Sequence, residues 1–310
     1  MMIIDMHCDT VLKAYQEKCR SAFSFPSAHF DLSRMQGAGV KIQFFALFPG
    51  LSSALSPYRQ AILLADYFGE QLQKNSGIIR LITSRQSLLQ VIDSPQRGAL
   101  LTAEGGEVLE GNLRKLGILY QRGVRSLCLT WNHRNEIADG AAEIKPEGLT
   151  LFGRQVVKEM NNLGMVIDLS HIAEPGFWDV LELSAYPVLA SHSNSRFVWE
   201  HARNLTDDQI RGIAQRNGVV GLNFVADFLG KPGSGPEQLL RHIDHICGLV
   251  GDDYLGFGSD FDGTDNLLTG IKDVTFFSEF IAYLYKQNYK ETTIRKLCGE
   301  NVLRLLQEIL

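Results

Sequence analysis

An α/β architecture, a closed (β/α)8 barrel of parallel strands, is predicted by three features of this 310-residue chain. Eight short runs rich in apolar and β-branched residues alternate with segments of helical periodicity. The runs are nearly continuous in apolar residues, as strands covered on both faces are. No Gly-x-Gly-x-x-Gly follows the first run, which counts against a nucleotide-binding, doubly wound sheet. A hydrophobic content of 45% supplies an ample core, and barrels reach this length as one domain, so residues 1–310 are expected to form a single unit.

Taken in order, the first strand is Met2–Cys8, followed by a long aromatic loop, Arg20–Asp31, suited to covering a barrel mouth. Val40–Phe48 is the second strand, and Ser56-Pro57 opens the helix Tyr58–Gln73 with a cap residue and an N1 proline. Ala99–Ala103 and Val124–Thr130 follow, with the helix Gly111–Arg122 between them. The helix Leu151–Leu163 ends at Gly164, a C-cap signal just ahead of Met165–Leu169. After the helix Phe177–Leu183 comes the sixth strand, Pro187–Ala190; Thr206 then caps Asp207–Arg216, and the turn Asn217-Gly218 leads into Val219–Val225. A Gly/Pro-rich loop, Gly230–Pro236, opens the helix Pro236–Val250 before the eighth strand, Tyr254–Gly258. Two helices, Asp273–Gln287 and Glu291–Ile309, complete the pattern.

Composition narrows the function. A net charge of −5, a pI near 5.9 and no Lys/Arg cluster interleaved with aromatics exclude a nucleic-acid partner. No stretch approaches the ~20 apolar residues of a membrane span, and Met1–Ile4 runs straight into Asp5, too short for a signal peptide. Five cysteines without a Cys-x-x-Cys pair fit reduced thiols. A cytoplasmic protein with no membrane partner is expected.

The polar residues gather at one end of the strands. His7 and Asp9, two residues apart, share a face at the end of the first strand. Glu104 ends the third, His171 the fifth and His192 the sixth, and Asp260 and Asp262 follow the eighth. These are C-terminal strand ends, where the loops of a barrel build its active site. Imidazole and carboxylate donors together suit a divalent transition metal, zinc first. The arithmetic suits two ions, with His7 and Asp9 on one side, His171 and His192 on the other, and Glu104 between. Asp260 suits a proton shuttle, Asp5 and Asp168 support the ligands from behind, and Asp262 fixes its loop.

At these residues the chain resembles the membrane (renal-type) dipeptidase family, peptidase family M19, in its soluble bacterial branch. The likeness runs in order through Ile4-Asp5-Met6-His7-Cys8-Asp9, Glu104-Gly105-Gly106, Asp168-Leu169-Ser170-His171, Ser191-His192-Ser193, Arg203-Asn204, Gly258–Gly263 and Glu300-Asn301-Val302-Leu303-Arg304. The resemblance implies hydrolysis of dipeptides by a homodimer. It implies two zinc ions per chain, bridged by Glu104 and a water or hydroxide, with His7 and Asp9 on one ion and His171 and His192 on the other. Arg203 matches the arginine that holds the substrate carboxylate, a task suited to a guanidinium fork. Asp260 matches the aspartate that handles the proton and the substrate amine.

One position departs from the renal-type pattern. There a histidine directly after Leu-Thr polarises the scissile carbonyl; here Trp131 follows Leu129-Thr130, and His133 is the nearest histidine to take that role. His29, His201, His242 and His245 match no motif and are expected on the surface or in loops. Two other readings compete. An amidohydrolase-like hydrolase of lactams, esters or cyclic amides would more often carry His-x-His on the first strand and a bridging lysine. An inactive metal-binding sensor would not need Asp260 and Arg203.

Overall fold

The computed structural model describes residues 1–19, 21, 23–50 and 54–310. Among these residues nine parallel strands are formed: β1 (Ile3–Asp5), β2 (Val40–Leu47), β3 (Ile79–Leu81), β4 (Arg97–Glu104), β5 (Val124–Cys128), β6 (Val166–Asp168), β7 (Leu189–Ala190), β8 (Val219–Leu222) and β9 (Leu255–Phe257). Eight close into a ring in the order β1, β2, β4, β5, β6, β7, β8, β9, with β9 returning to β1 through Asp5 and Phe257. These eight are the strands expected from the apolar runs.

The ninth, β3, pairs with Arg97, Gly98 and Ala99 at the start of β4, while β5 takes over that flank further along. Its three residues, with Arg80 exposed in the middle, carry too short a signal to read from periodicity.

The helices are α1 (Thr10–Gln16), α2 (Leu32–Gly37), α3 (Pro57–Lys74), α4 (Arg85–Ile92), α5 (Leu113–Gln121), α6 (Leu151–Leu163), α7 (Glu174–Leu183), α8 (Asp207–Gln215), α9 (Glu237–Val250), α10 (Phe276–Lys286), α11 (Glu291–Arg295) and α12 (Asn301–Ile309). The expected start signals operate: Ser56 accepts from the Arg59 amide ahead of Pro57, and Thr206 and Gln209 form a reciprocal capping box. Helices α1, α2 and α4 are too short for an unambiguous period. The expected continuous helix Glu291–Ile309 is instead two, joined by a π-turn at Lys296–Glu300.

Two apolar layers hold the barrel. The outer one lies between strands and helices. The inner one fills the lower half of the ring with Ile4, Met6, Ile42, Phe44 and Leu100, and α12 closes it from below with Val302, Leu305 and Leu306. In the long loop expected over the mouth, Arg20 and Ala22 lie outside the described residues. Phe23 and Phe30 of that loop pack edge-on against Phe45 in the outer layer, while the His29 amide of the same loop donates to Asp262 at the mouth. Among the described residues no helix is long and apolar enough to cross a membrane.

Candidate metal centre

Beyond Asp5 the first strand stays extended: the Asp9 amide donates to the Phe261 carbonyl, and the Cys8 carbonyl accepts from Ala46. His7 and Asp9 therefore keep one face and point into the upper barrel. Close approach of the neighbouring strands depends on two glycines. A Cβ at Gly221 or at Gly258 would strike the Ser191 carbonyl, so both positions admit no side chain. His171 and Asp260 hold left-handed φ values of 67° and 63°, strained for residues with a Cβ, and this aims both inward.

The expected ligands converge. His7 Nε2 lies 3.3 Å from Asp9 Oδ2, 3.5 Å from Glu104 Oε2 and 3.8 Å from Asp260 Oδ1. On the other side, His171 Nε2 lies 3.1 Å and His192 Nε2 3.6 Å from Glu104 Oε1. The two oxygens of Glu104 are thus divided between the two groups. Donor atoms of His7, Glu104 and His192 fall within 4.8 Å of one another, as do those of His7, Asp9 and Asp260.

On the side of His171 and His192 the nitrogens that face the centre carry no proton. Asn132 Oδ1 can only accept, so the 2.8 Å contact places a hydrogen on His171 Nδ1. Ser191 Oγ gives its hydrogen to Asp168 and accepts from His192 Nδ1 at 2.7 Å. Burial then holds both imidazoles well below their ordinary pKa, and the charges of Arg203 and His7 act the same way. Two bare Nε2 lone pairs face each other at 2.7 Å.

Opposite them three carboxylates crowd one imidazole. Burial opposes charge on His7, but Glu104 and Asp9 outweigh it and raise its pKa. Burial pushes the Glu104 carboxyl up to about 7. His7 Nε2 and Asp9 Oδ1 are buried without a hydrogen-bond partner among the described residues. Facing lone pairs, crowded carboxylates and orphaned donor atoms are what bound cations would reconcile, so the donor set fits divalent metal.

Support comes from behind, as expected of Asp5, Asp168 and Asp262. Asp5 accepts from the Ser259 amide and hydroxyl and from Gln43. Asp168 accepts from the Ser170 and Ser191 amides, and Asp262 from Thr10 and the His29 amide. Asn223, which no motif marked, donates to Asp260 Oδ2 at 3.0 Å. An asparagine just past an apolar strand was the only signal for it.

Above the ligands a cavity of about 390 Å³ is bordered by Asp9, Glu104, His171, Arg203 and Asp260. Arg203 is 7% exposed, donates to the His192 carbonyl at 3.2 Å, and leaves Nε without a partner among the described residues. It is a buried guanidinium with donors to spare.

His133 is the expected site residue that the structure leaves outside. Its side chain is 71% exposed, 3.7 Å from Glu143, and does not border the cavity. The chain bends at Asn132-His133, so the strand parity that would align His133 with Trp131 is lost. Trp131 and Asn132 border the cavity instead. His242, expected at the surface, is wholly buried, its Nδ1 accepting from the Ser195 amide and its Nε2 donating to the Leu229 carbonyl.

The family model for membrane dipeptidase (peptidase family M19) matches residues 1–310. A solved structure of a dipeptidase described as a metallopeptidase of family M19 is 31% identical, with a TM-score of 0.92 over 100% of this chain and 98% of that one. A metallopeptidase from Rhodobacter sphaeroides, bound to a phosphinate mimic of the dipeptide L-Ala-D-Ala, is 29% identical, with a TM-score of 0.91 over 100% of this chain and 99% of that one. An amidohydrolase from Pseudomonas aeruginosa, 23% identical with a TM-score of 0.85 over 99% and 96%, shares the fold. The chain belongs to the membrane dipeptidase family, peptidase family M19.

Proposed function

We propose that this protein is a zinc-dependent dipeptidase with two metals per chain, bridged by Glu104. The observation that carries the reading is the division of the two Glu104 oxygens between His7 on one side and His171 and His192 on the other. Asp9 completes the first group. Bound there, a metal pair supplies Lewis acidity and a water made acidic enough to act as nucleophile at neutral pH.

The chain's own residues do the rest. Arg203 offers its unpartnered guanidinium edge to the substrate carboxylate, which anchors one end of the dipeptide. Asp260, steered by Asn223 and bordering the cavity, receives the proton from the attacking water and returns it to the departing amine; it also faces the substrate's own ammonium. Anchors at both ends limit the substrate to two residues. His133, exposed and outside the cavity, has no part in the reading; no imidazole outside the ligand set borders the cavity among the described residues. The five cysteines are free, in keeping with a reducing, cytoplasmic setting, and the assembly proposed is a homodimer.

The test couples metal quantification with hydrolysis of L,L- and L,D-dipeptides by the metal-loaded protein, and sedimentation gives the assembly. Two equivalents of bound metal and release of two amino acids are expected. Metal-loaded protein that cleaves no dipeptide would sink the reading.

A further inference from the structure

The cavity walls are not uniform. Asp9, Glu104, Arg203 and Asp260 make it polar near the ligands, and two stretches of its lining are apolar: Val225 and Phe228 on the side of Arg203, and a second one further round the mouth. Phe48 follows β2 and Trp131 follows β5; their rings lie 5.4 Å apart at 50°, and Leu12 adjoins them in the same lining. Trp131 is 37% exposed, with its ring 6.2 Å from that of His171, so a large apolar surface stands open beside the metal ligands.

The order of strands around the ring says what meets this surface. Arg203 follows β7, four strands from β2 in a ring of eight, so Phe48 stands across the mouth from the guanidinium. Asp260 follows β9, beside β1. A dipeptide held by its carboxylate at Arg203, with its ammonium toward Asp260, turns the remaining substituent of its N-terminal α-carbon toward β2 and β5. We propose that Phe48 and Trp131 form the subsite for the N-terminal side chain and make the enzyme selective for dipeptides that begin with a large apolar residue. Leucine or phenylalanine in first position is favoured over glycine, and aspartate is disfavoured by Asp9 and Asp260. The proposal rests on the dipeptidase reading and names its substrate class.

The test is the kcat/KM series for X-Ala dipeptides, with X glycine, alanine, leucine, phenylalanine or aspartate, on wild type, Trp131→Ala, Phe48→Ala and Trp131→Phe. A ratio of two substrates on one sample is independent of the folded fraction, so partial misfolding does not obscure it. In the wild type the Leu-to-Gly ratio is expected to be at least about tenfold. Trp131→Ala and Phe48→Ala should each lower it several-fold, chiefly by raising KM for the Leu substrate, and Trp131→Phe should retain it. A flat series in the wild type, or a ratio that neither alanine variant moves, would overturn the subsite while leaving the dipeptidase reading intact. No turnover of any X-Ala by metal-loaded wild type would remove both.

Discussion

The two ends of the barrel are built on opposite principles. Below, Ile4, Met6, Ile42, Phe44 and Leu100 meet α12 in a packed apolar plug whose members carry no charge. Above, within the same ring, carboxylates and imidazoles are buried against one another at ion-pair distances, with donor atoms left unpartnered. Every contact in the lower end favours the folded state. The upper end, without cations, sets like against like. Stability is concentrated where nothing reacts, and this lets the reactive end hold an arrangement that would not hold itself.

Substitutions at the two ends should therefore separate activity from stability. His171→Ala is expected to cost the largest effect, roughly a thousandfold or more in turnover, with less metal bound. Because it also removes one of two facing lone pairs, the metal-free melting temperature should hold or rise; a collapse of the metal-free fold would erase the contrast. Leu305→Ala, in the plug, should lose about 2–5 kcal/mol in denaturant unfolding, with kcat/KM per folded molecule unchanged.

His242 sharpens the comparison, since it ties the β7 and β8 loops of the upper end as a neutral group. Burial lowers its pKa to about 4 from 6.5. The unfolded chain binds the proton first, so this contribution is complete above pH 6.5 and is lost as pH falls toward 4. It amounts to about 3 kcal/mol. His242→Gln keeps a donor and an acceptor without the titration, and should flatten the pH profile of stability across that window. The smallest effect belongs to Thr206→Ala, which removes the capping box of α8 without touching a ligand and should cost about 1 kcal/mol by thermal melt with little change in kcat.

Much of this was legible in the residues. Eight buried parallel strands announce themselves as apolar runs, and His7, Asp9, Glu104, His171 and His192 stand at their ends because polar side chains there have nowhere to go but the mouth. What escaped depends on chain direction at single residues. Asn132 and His133 are adjacent, and only the bend between strand and loop decides which of them enters the cavity. His242 carries no neighbouring motif, and its burial follows from two backbone partners, Ser195 and Leu229, 47 and 13 residues away. The strand β3 lacks the length for a period of two to declare itself, and the break at Lys296–Glu300 interrupts an amphipathic pattern that is continuous on both sides.

The π-turn at Lys296–Glu300 ties the floor of the barrel to the strand that carries the first ligands. It seats α12 under the junction of β1 and β9, where Asp5 and Phe257 are in register. His7 and Asp9 extend β1, so the upper end of that strand rests on a floor supplied by a helix from the far end of the described residues. Loosening α12 would therefore reach the candidate centre through β1, although no residue of α12 borders the cavity.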